Sequence, residues 1–265
     1  MQRIWVSRVL LASGALLLWP AARASASAPS PTELIAKADH ALRGQTTAAL
    51  LEMHIHTQSY DRNYSMLLWG DERGGTSRAL IKILGPARWR GHGTLKIGGR
   101  LSLYDPSTDR ITVLSGSMLA DNWMGSHFSN DDLVKETELA RDYTARVLKD
   151  WTAEVAGKPA VFHRILLSPT PRAPVAWDHI VFELYEQGGS VIPSREEYYQ
   201  RQQQPAPTRM LTFDSVKTMG DRVVPTRLTV HVADKPSEFT ELVYKQLRFD
   251  ADVPESKFSE QELRR

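Results

Sequence analysis

Cysteine is absent from the 265 residues, which excludes disulfides, zinc–thiolate sites, iron–sulfur clusters and cysteine nucleophiles together. The acceptor thiol for a lipid anchor is missing as well. No charge of one sign dominates: 33 Lys and Arg stand against 31 Asp and Glu, which argues against a nucleic-acid binder held by phosphate attraction. Hydrophobic residues at 42% and charged ones at 24% exclude a disordered chain. No apolar run reaches the roughly 20 residues of a membrane-spanning helix. The length suits one large domain or two small ones and suffices for a substantial core.

What is present begins with an address. Arg3 and Arg8 precede an apolar run over residues 9–19, Pro20 breaks it, and the small residues Ala21, Ala22, Ala24, Ser25 and Ala26 follow. Charge, apolar stretch and small-residue site are the order of a secretory signal peptide, here residues 1–24. An uncleaved anchor is the alternative, but the run is about half the length needed to span a bilayer. Arg3, Arg8 and Arg23 are the only charges of the segment, so cleavage leaves 30 basic against 31 acidic groups. The expected product, residues 25–265, is one exported, periplasmic domain that is not itself lipidated.

Ser30, Pro31 and Glu33 form a Ser-Pro-x-Glu capping signature, and Leu34, Ile35, Ala38 and Leu42 recur at helical spacing. Gly44 fits a left-handed stop to that helix. Beyond it the period becomes two. In Leu51-Glu52-Met53-His54-Ile55-His56 the odd positions are apolar and the even ones polar, which places them on opposite faces of a strand. Similar runs occupy 63–69, 78–84, 93–97, 101–104, 110–114, 142–149, 159–167, 179–186, 191–199, 209–217, 222–232 and 239–247, with turn residues such as Asp105-Pro106 and Gly188-Gly189 between many of them. About a dozen short strands without βαβ alternation predict a mainly β chain with a few helices. Its antiparallel meander would curl into a barrel or half-barrel.

The pattern breaks between Leu114 and Asp142. Met118, Trp123, Met124, Phe128 and Leu133 crowd a segment with no period of two, and Ser129 with Asp131 and Asp132 reads as a helix start. A short lid over the open side of the sheet fits this composition, and so does an ordinary packed connection.

Catalytic motifs are few. His54-x-His56 places two imidazoles on one strand face, without an identifiable third ligand. Ser126, His127 and Asp132 make an inventory for a hydrolase, but no G-x-S-x-G elbow surrounds any serine. Gly91-His92-Gly93 runs into a strand and lacks the helix a nucleotide loop requires. No enzyme chemistry, metal or cofactor is expected. The candidate inward-facing apolar residues are Met53, Ile55, Met66, Leu68, Ile81, Ile83, Leu95 and Leu103. They would either fill the sheet's interior or line a hollow.

The segment Trp123-Met124-Gly125-Ser126-His127-Phe128-Ser129-Asn130-Asp131-Asp132-Leu133 resembles the G-[ST]-x-F-[ST]-x-x-D-L signature of the outer-membrane lipoprotein-sorting proteins related to LolA. Gly93-Thr94-Leu95, Leu103-Tyr104-Asp105-Pro106, Val224-Pro225 and Asp252-Val253-Pro254 before Phe258 and Leu263 are similar to other parts of that family. The resemblance implies an incomplete β-barrel capped by helices, with an apolar cavity for the acyl chains of a lipid or lipoprotein. It implies transient contact with membrane surfaces and relatives that work beside an inner-membrane transporter. On it, the eight apolar residues above become cavity liners, and Trp123, Gly125, Phe128, Ser129, Asp132 and Leu133 become lid residues. An adaptor that docks on an envelope transporter or assembly complex without cargo is the alternative.

Overall fold

The structure, a computed structural model, describes residues 29–134, 139–173 and 177–265. The expected export segment, 1–24, lies outside them. Helix α1 (Pro31–Asp39) starts on a closed capping box: the Ser30 hydroxyl accepts the Glu33 N–H at 3.3 Å, and the Glu33 carboxylate accepts the Ser30 N–H at 2.7 Å. Leu34, Ile35 and Ala38 form its buried face. The helix ends at His40 rather than at Gly44. Gly44 is not left-handed. Its constraint is a close approach, since a Cβ there would lie 2.6 Å from the Thr46 carbonyl oxygen and 3.0 Å from the Asp250 nitrogen.

Two meanders follow. The first comprises β1 (Thr46–His56), β2 (Asp61–Asp71), β3 (Arg78–Gly85), β4 (Gly93–Ile97), β5 (Arg100–Asp105) and β6 (Arg110–Val113). The second comprises β7 (Tyr143–Val155), β8 (Lys158–Pro169), β9 (His179–Gln187), β10 (Ser190–Tyr199), β11 (Arg209–Met219), β12 (Arg222–Val232) and β13 (Phe239–Phe249). Each strand expected from the alternation has its counterpart. All 13 join one antiparallel sheet in the order β6-β5-β4-β3-β2-β1-β13-β12-β11-β10-β9-β8-β7. The pairing of β1 with β13 is the seam between the meanders, and β6 and β7 are the two edges of a curved, unclosed sheet.

Between β6 and β7 in the chain lies the crossing segment 114–142, whose described residues include α2 (Asn130–Val134) and α3 (Leu139–Asp142). Two core clusters form on the inner side. One gathers Met53, Ile55, Tyr64, Met66, Ile81 and Ile83 around Trp123. The other gathers Ile165, Leu167, Ile180, Phe182 and Leu184 under α1 and α3. Outside, Leu80, Leu95 and Tyr104 are covered by Val253, Phe258 and Leu263, the last on α4 (Glu260–Arg264). Among the described residues no helix is long and apolar enough to cross a membrane.

Candidate functional site

Between the two inner clusters lies a hollow of about 460 Å³, within the usual range for small-molecule sites. Its wall is a continuous patch of sheet. Phe213 on β11 stands opposite Leu228 on β12, which stands opposite Leu242 on β13, and all three line the hollow together with Tyr244 and Leu211. Ala38, Leu42 and the aromatic rings of Trp123, Phe128 and Trp177 complete the apolar lining. Leu42, Trp123, Leu133, Leu242 and Tyr244 also touch or belong to the β1–β3 cluster, so the hollow sits directly against that core.

The crossing segment forms the cover. Trp123 is anchored by its indole N–H, which donates to the Thr94 hydroxyl at 3.1 Å. The chain then turns through Met124 and Gly125, both at positive φ. The Tyr60 hydroxyl donates to the Gly125 carbonyl at 2.5 Å, and a Cβ on Gly125 would lie 2.9 Å from that hydroxyl. Glycine is therefore required there both by φ and by space. Ser129 caps α2: its hydroxyl accepts the Asp132 N–H at 3.1 Å, while the Asp132 carboxylate accepts the Ser129 N–H at 2.7 Å.

Asp132 has a second task. Both its oxygens accept from Arg209 Nη1, at 2.8 and 2.9 Å, which ties α2 to β11. Arg209 stands opposite Tyr198 across the β10–β11 pair, its guanidinium 5.7 Å from the Tyr198 ring and 5.6 Å from that of Phe128. Burial opposes the charge on Arg209, but the Asp132 carboxylate, with Tyr198 and Glu196 adding to it, holds the guanidinium above its ordinary range. The Tyr198 hydroxyl donates to Glu196. Burial first, and that carboxylate second, push the Tyr198 phenol well up. Tyr143 is raised to about 12, mainly by burial, and burial raises Tyr244 too. The phenols of the wall therefore stay neutral. Along β11 the lining passes from charged Arg209 to Leu211 and Phe213, so the hollow has a polar mouth and an apolar interior.

The residues read from the sequence divide into two groups. Trp123, Phe128, Ser129, Asp132 and Leu133 line the hollow, and Gly125 shapes the turn between them. None of the eight expected liners does so. Met53, Ile55, Met66, Ile81 and Ile83 are buried in the adjoining core cluster, with Leu68 half-buried against it. Leu103, opposite Thr94, shares the inner face at the far end of the sheet and is half-buried. Leu95 points the other way, to the outer cluster beneath α4. The reason is that Trp123 and the crossing segment occupy the β1–β4 half of the interior, which leaves the free space beside β10–β13. The wall residues Tyr198, Arg209, Leu211, Phe213, Leu228, Leu242 and Tyr244 were not singled out from the sequence, although their alternation along each strand carried the signal.

The polar candidates are otherwise engaged. His54 and His56 both contact Asp61, at 2.9 and 3.0 Å, on the outer face beside Phe239. Among the described residues no group of three or more His, Cys, Asp or Glu is arranged to hold a metal ion. The Ser126 hydroxyl accepts the Phe128 N–H at 3.1 Å, whereas His127 turns to Thr240 at 2.8 Å and Glu238 at 3.3 Å. Serine and histidine thus face different partners.

A family model described as "Uncharacterized protein" matches residues 75–265. The chain is similar to the crystal structure of an outer-membrane lipoprotein-sorting protein domain from Vibrio parahaemolyticus, with a TM-score of 0.71 and 22% identity over 89% of this chain and 98% of that one. It is similar to a DUF1329 family protein from Desulfovibrio piger, with a TM-score of 0.73 and 18% identity over 88% of this chain and 97% of the other. A LolA superfamily protein from Nitrosomonas europaea gives a TM-score of 0.66 and 18% identity over 89% of this chain and all of that one. No curated protein matches in sequence. The fold is LolA-like: a mainly β, unclosed antiparallel sheet with short helices across it.

Proposed function

The chain belongs to the family whose model spans residues 75–265, and from its LolA-like fold and its hollow we propose that it is a non-catalytic carrier of acyl chains. The observation that carries this reading is the hollow itself, an apolar interior behind a helix that the Asp132–Arg209 ion pair ties to the sheet. Each methylene removed from water contributes about 0.8 kcal/mol, so a free acyl chain does not leave a membrane unaided at a useful rate. A cavity that accepts the chain when α2 swings from β11, and covers it when Arg209 and Asp132 meet again, moves it without making or breaking a covalent bond. The basic, apolar, small-residue order of residues 1–24 supports export to the periplasm as one domain, 25–265. There the cargo would be a lipid or the acylated end of a lipoprotein, passed between the envelope membranes through brief surface contact.

The test is organic extraction of the natively purified protein followed by mass spectrometry, with loading of a fluorescent fatty acid in parallel. Recovery of an amphiphile, or saturable loading, is expected. Repeated failure of both would leave the cargo-free adaptor as the better account.

A further inference from the structure

The apolar hollow adjoins a polar basin of about 880 Å³ at one rim of the sheet: Arg43, Asp132 and Leu133 line both spaces. The basin gathers strand ends from both meanders: the loop into β1, the β2–β3 turn, β4, the start of β12 and the residue after β13. Two couples of opposite sign stand in it beside Arg43 and Asp132. On one side Lys96 donates to the Ser77 hydroxyl at 3.0 Å, and that hydroxyl donates to Glu72 at 3.1 Å. On the other, Arg222 lies 3.4 Å from Asp250 and also donates to the Arg43 carbonyl at 2.6 Å. Lys96 is nearly buried, 8% exposed, a position a lysine takes when it is paired. A basin that shows both signs at both sides gains nothing from an uncharged or apolar occupant. It matches a group that itself carries both signs, because charge-assisted hydrogen bonds are the strong ones.

We infer that the basin seats a zwitterionic head, a phosphate bonded through a short link to an amine, on the same amphiphile whose chains enter the hollow. The inference rests on the carrier reading and adds to it the class of head group. The phosphate falls to Arg222 and Lys96, the amine to Glu72 and Asp250, and the passage beside Arg43 and Leu133 joins head to tail.

The experiment compares acyl-matched phosphatidylethanolamine, phosphatidylglycerol and diacylglycerol as competitors of a bound fluorescent fatty acid, with free phosphoethanolamine as a fourth probe. Phosphatidylethanolamine is expected to compete about tenfold better than either other lipid, the worth of one charge-assisted hydrogen bond. Free phosphoethanolamine should be without effect. Arg222→Gln should weaken competition by phosphatidylethanolamine and phosphatidylglycerol alike relative to diacylglycerol, because both carry the phosphate. Because Arg222 also steadies the Arg43 turn, Glu72→Gln on the exposed β2–β3 turn is the second variant and should narrow the preference for phosphatidylethanolamine over phosphatidylglycerol. Equal competition by all three lipids on the wild-type protein overturns the head-group assignment and leaves the carrier reading standing, as does a preference for phosphatidylglycerol. Failure of every lipid to compete, with no fatty acid loaded, is the failure of the carrier reading itself. Competition by free phosphoethanolamine at the strength of the lipid would make the basin a site for a soluble ligand and overturn the inference.

Discussion

Arg209 on β11 holds Asp132 on α2 through both carboxylate oxygens, at 2.8 and 2.9 Å, with the arginine side chain 10% exposed and the aspartate 29%. This ion pair ties α2 to β11. The guanidinium lies between two aromatic rings and its Nε has no hydrogen-bond partner, so the arginine depends on Asp132 for most of its compensation.

Asp132→Asn leaves a buried cation without its counter-charge and should lower the unfolding free energy by about 1–3 kcal/mol, discounted from the fully buried case for the partly exposed aspartate. Urea unfolding measures the loss. The double change Arg209→Met with Asp132→Leu removes both charges and should recover most of it. An equal loss in single and double variants would mean that the ion pair is not what fastens α2.

Gly125→Ala places a methyl group 2.9 Å from the Tyr60 hydroxyl at a φ of 74°, and a cost of about 1–3 kcal/mol is expected. Because the obstacle is one hydroxyl oxygen, combining it with Tyr60→Phe should return part of the loss in thermal melting. The remainder is the backbone share.

The other end of the crossing segment is sensitive to acid. Burial depresses the His127 imidazole below its ordinary value of 6.5, and the Glu238 carboxylate, which faces it with Lys235 and His231 nearby, does not cancel that effect. Glu238 is itself held low, first by the Gln58 backbone N–H and then by His127. For His127 the unfolded chain binds the proton more readily, so its contribution is present above 6.5 and is lost as pH falls below that value. Glu238 has the same sign at lower pH: its contribution is present above 4.5 and is lost as the carboxylate protonates. Melting temperatures should therefore fall on acidification from about pH 7 to 5.5, and His127→Gln should flatten that stretch of the curve. A profile that is level in the wild-type protein would contradict it.

Leu228→Trp introduces a large ring at the centre of the wall. It should cut fatty-acid loading at least about tenfold while leaving the unfolding free energy within about 1 kcal/mol of the wild-type value, because the ring enters free space instead of a filled core. A parallel loss of stability would show that the site has no room to spare.

Most of the fold was legible because alternation, capping and turn chemistry are local. The strand over 93–97 shows where local logic stops. Leu95 reads as an inward residue, yet the structure turns its neighbour Thr94 to the Trp123 indole and Leu95 to the cover formed by Phe258 and Leu263. A two-residue period names two faces but cannot say which one a distant segment will cover. The same holds for the hollow. One cross-strand row runs Phe213, Leu228, Leu242, Met53, Tyr64. Its first three members border free space and its last two are buried against Trp123. Nothing within Met53 or Leu242 distinguishes them; the place where the crossing segment docks does. The Gly125–Leu133 signature located that segment, and Arg209 escaped notice because its partner lies 77 residues away.

The seam between the meanders has a consequence for how the molecule is born. Ala48 meets Arg248 across it, a contact of the kind that forms late because so much chain must first be closed. Leu42 and Trp123 come from one side of that junction and Leu211 and Leu228 from the other. A partly synthesised chain thus has two oily ribbons and no shelter. The hollow is complete only when the thirteenth strand zips home, so an unfinished or clipped chain leaves the apolar faces of both ribbons bare.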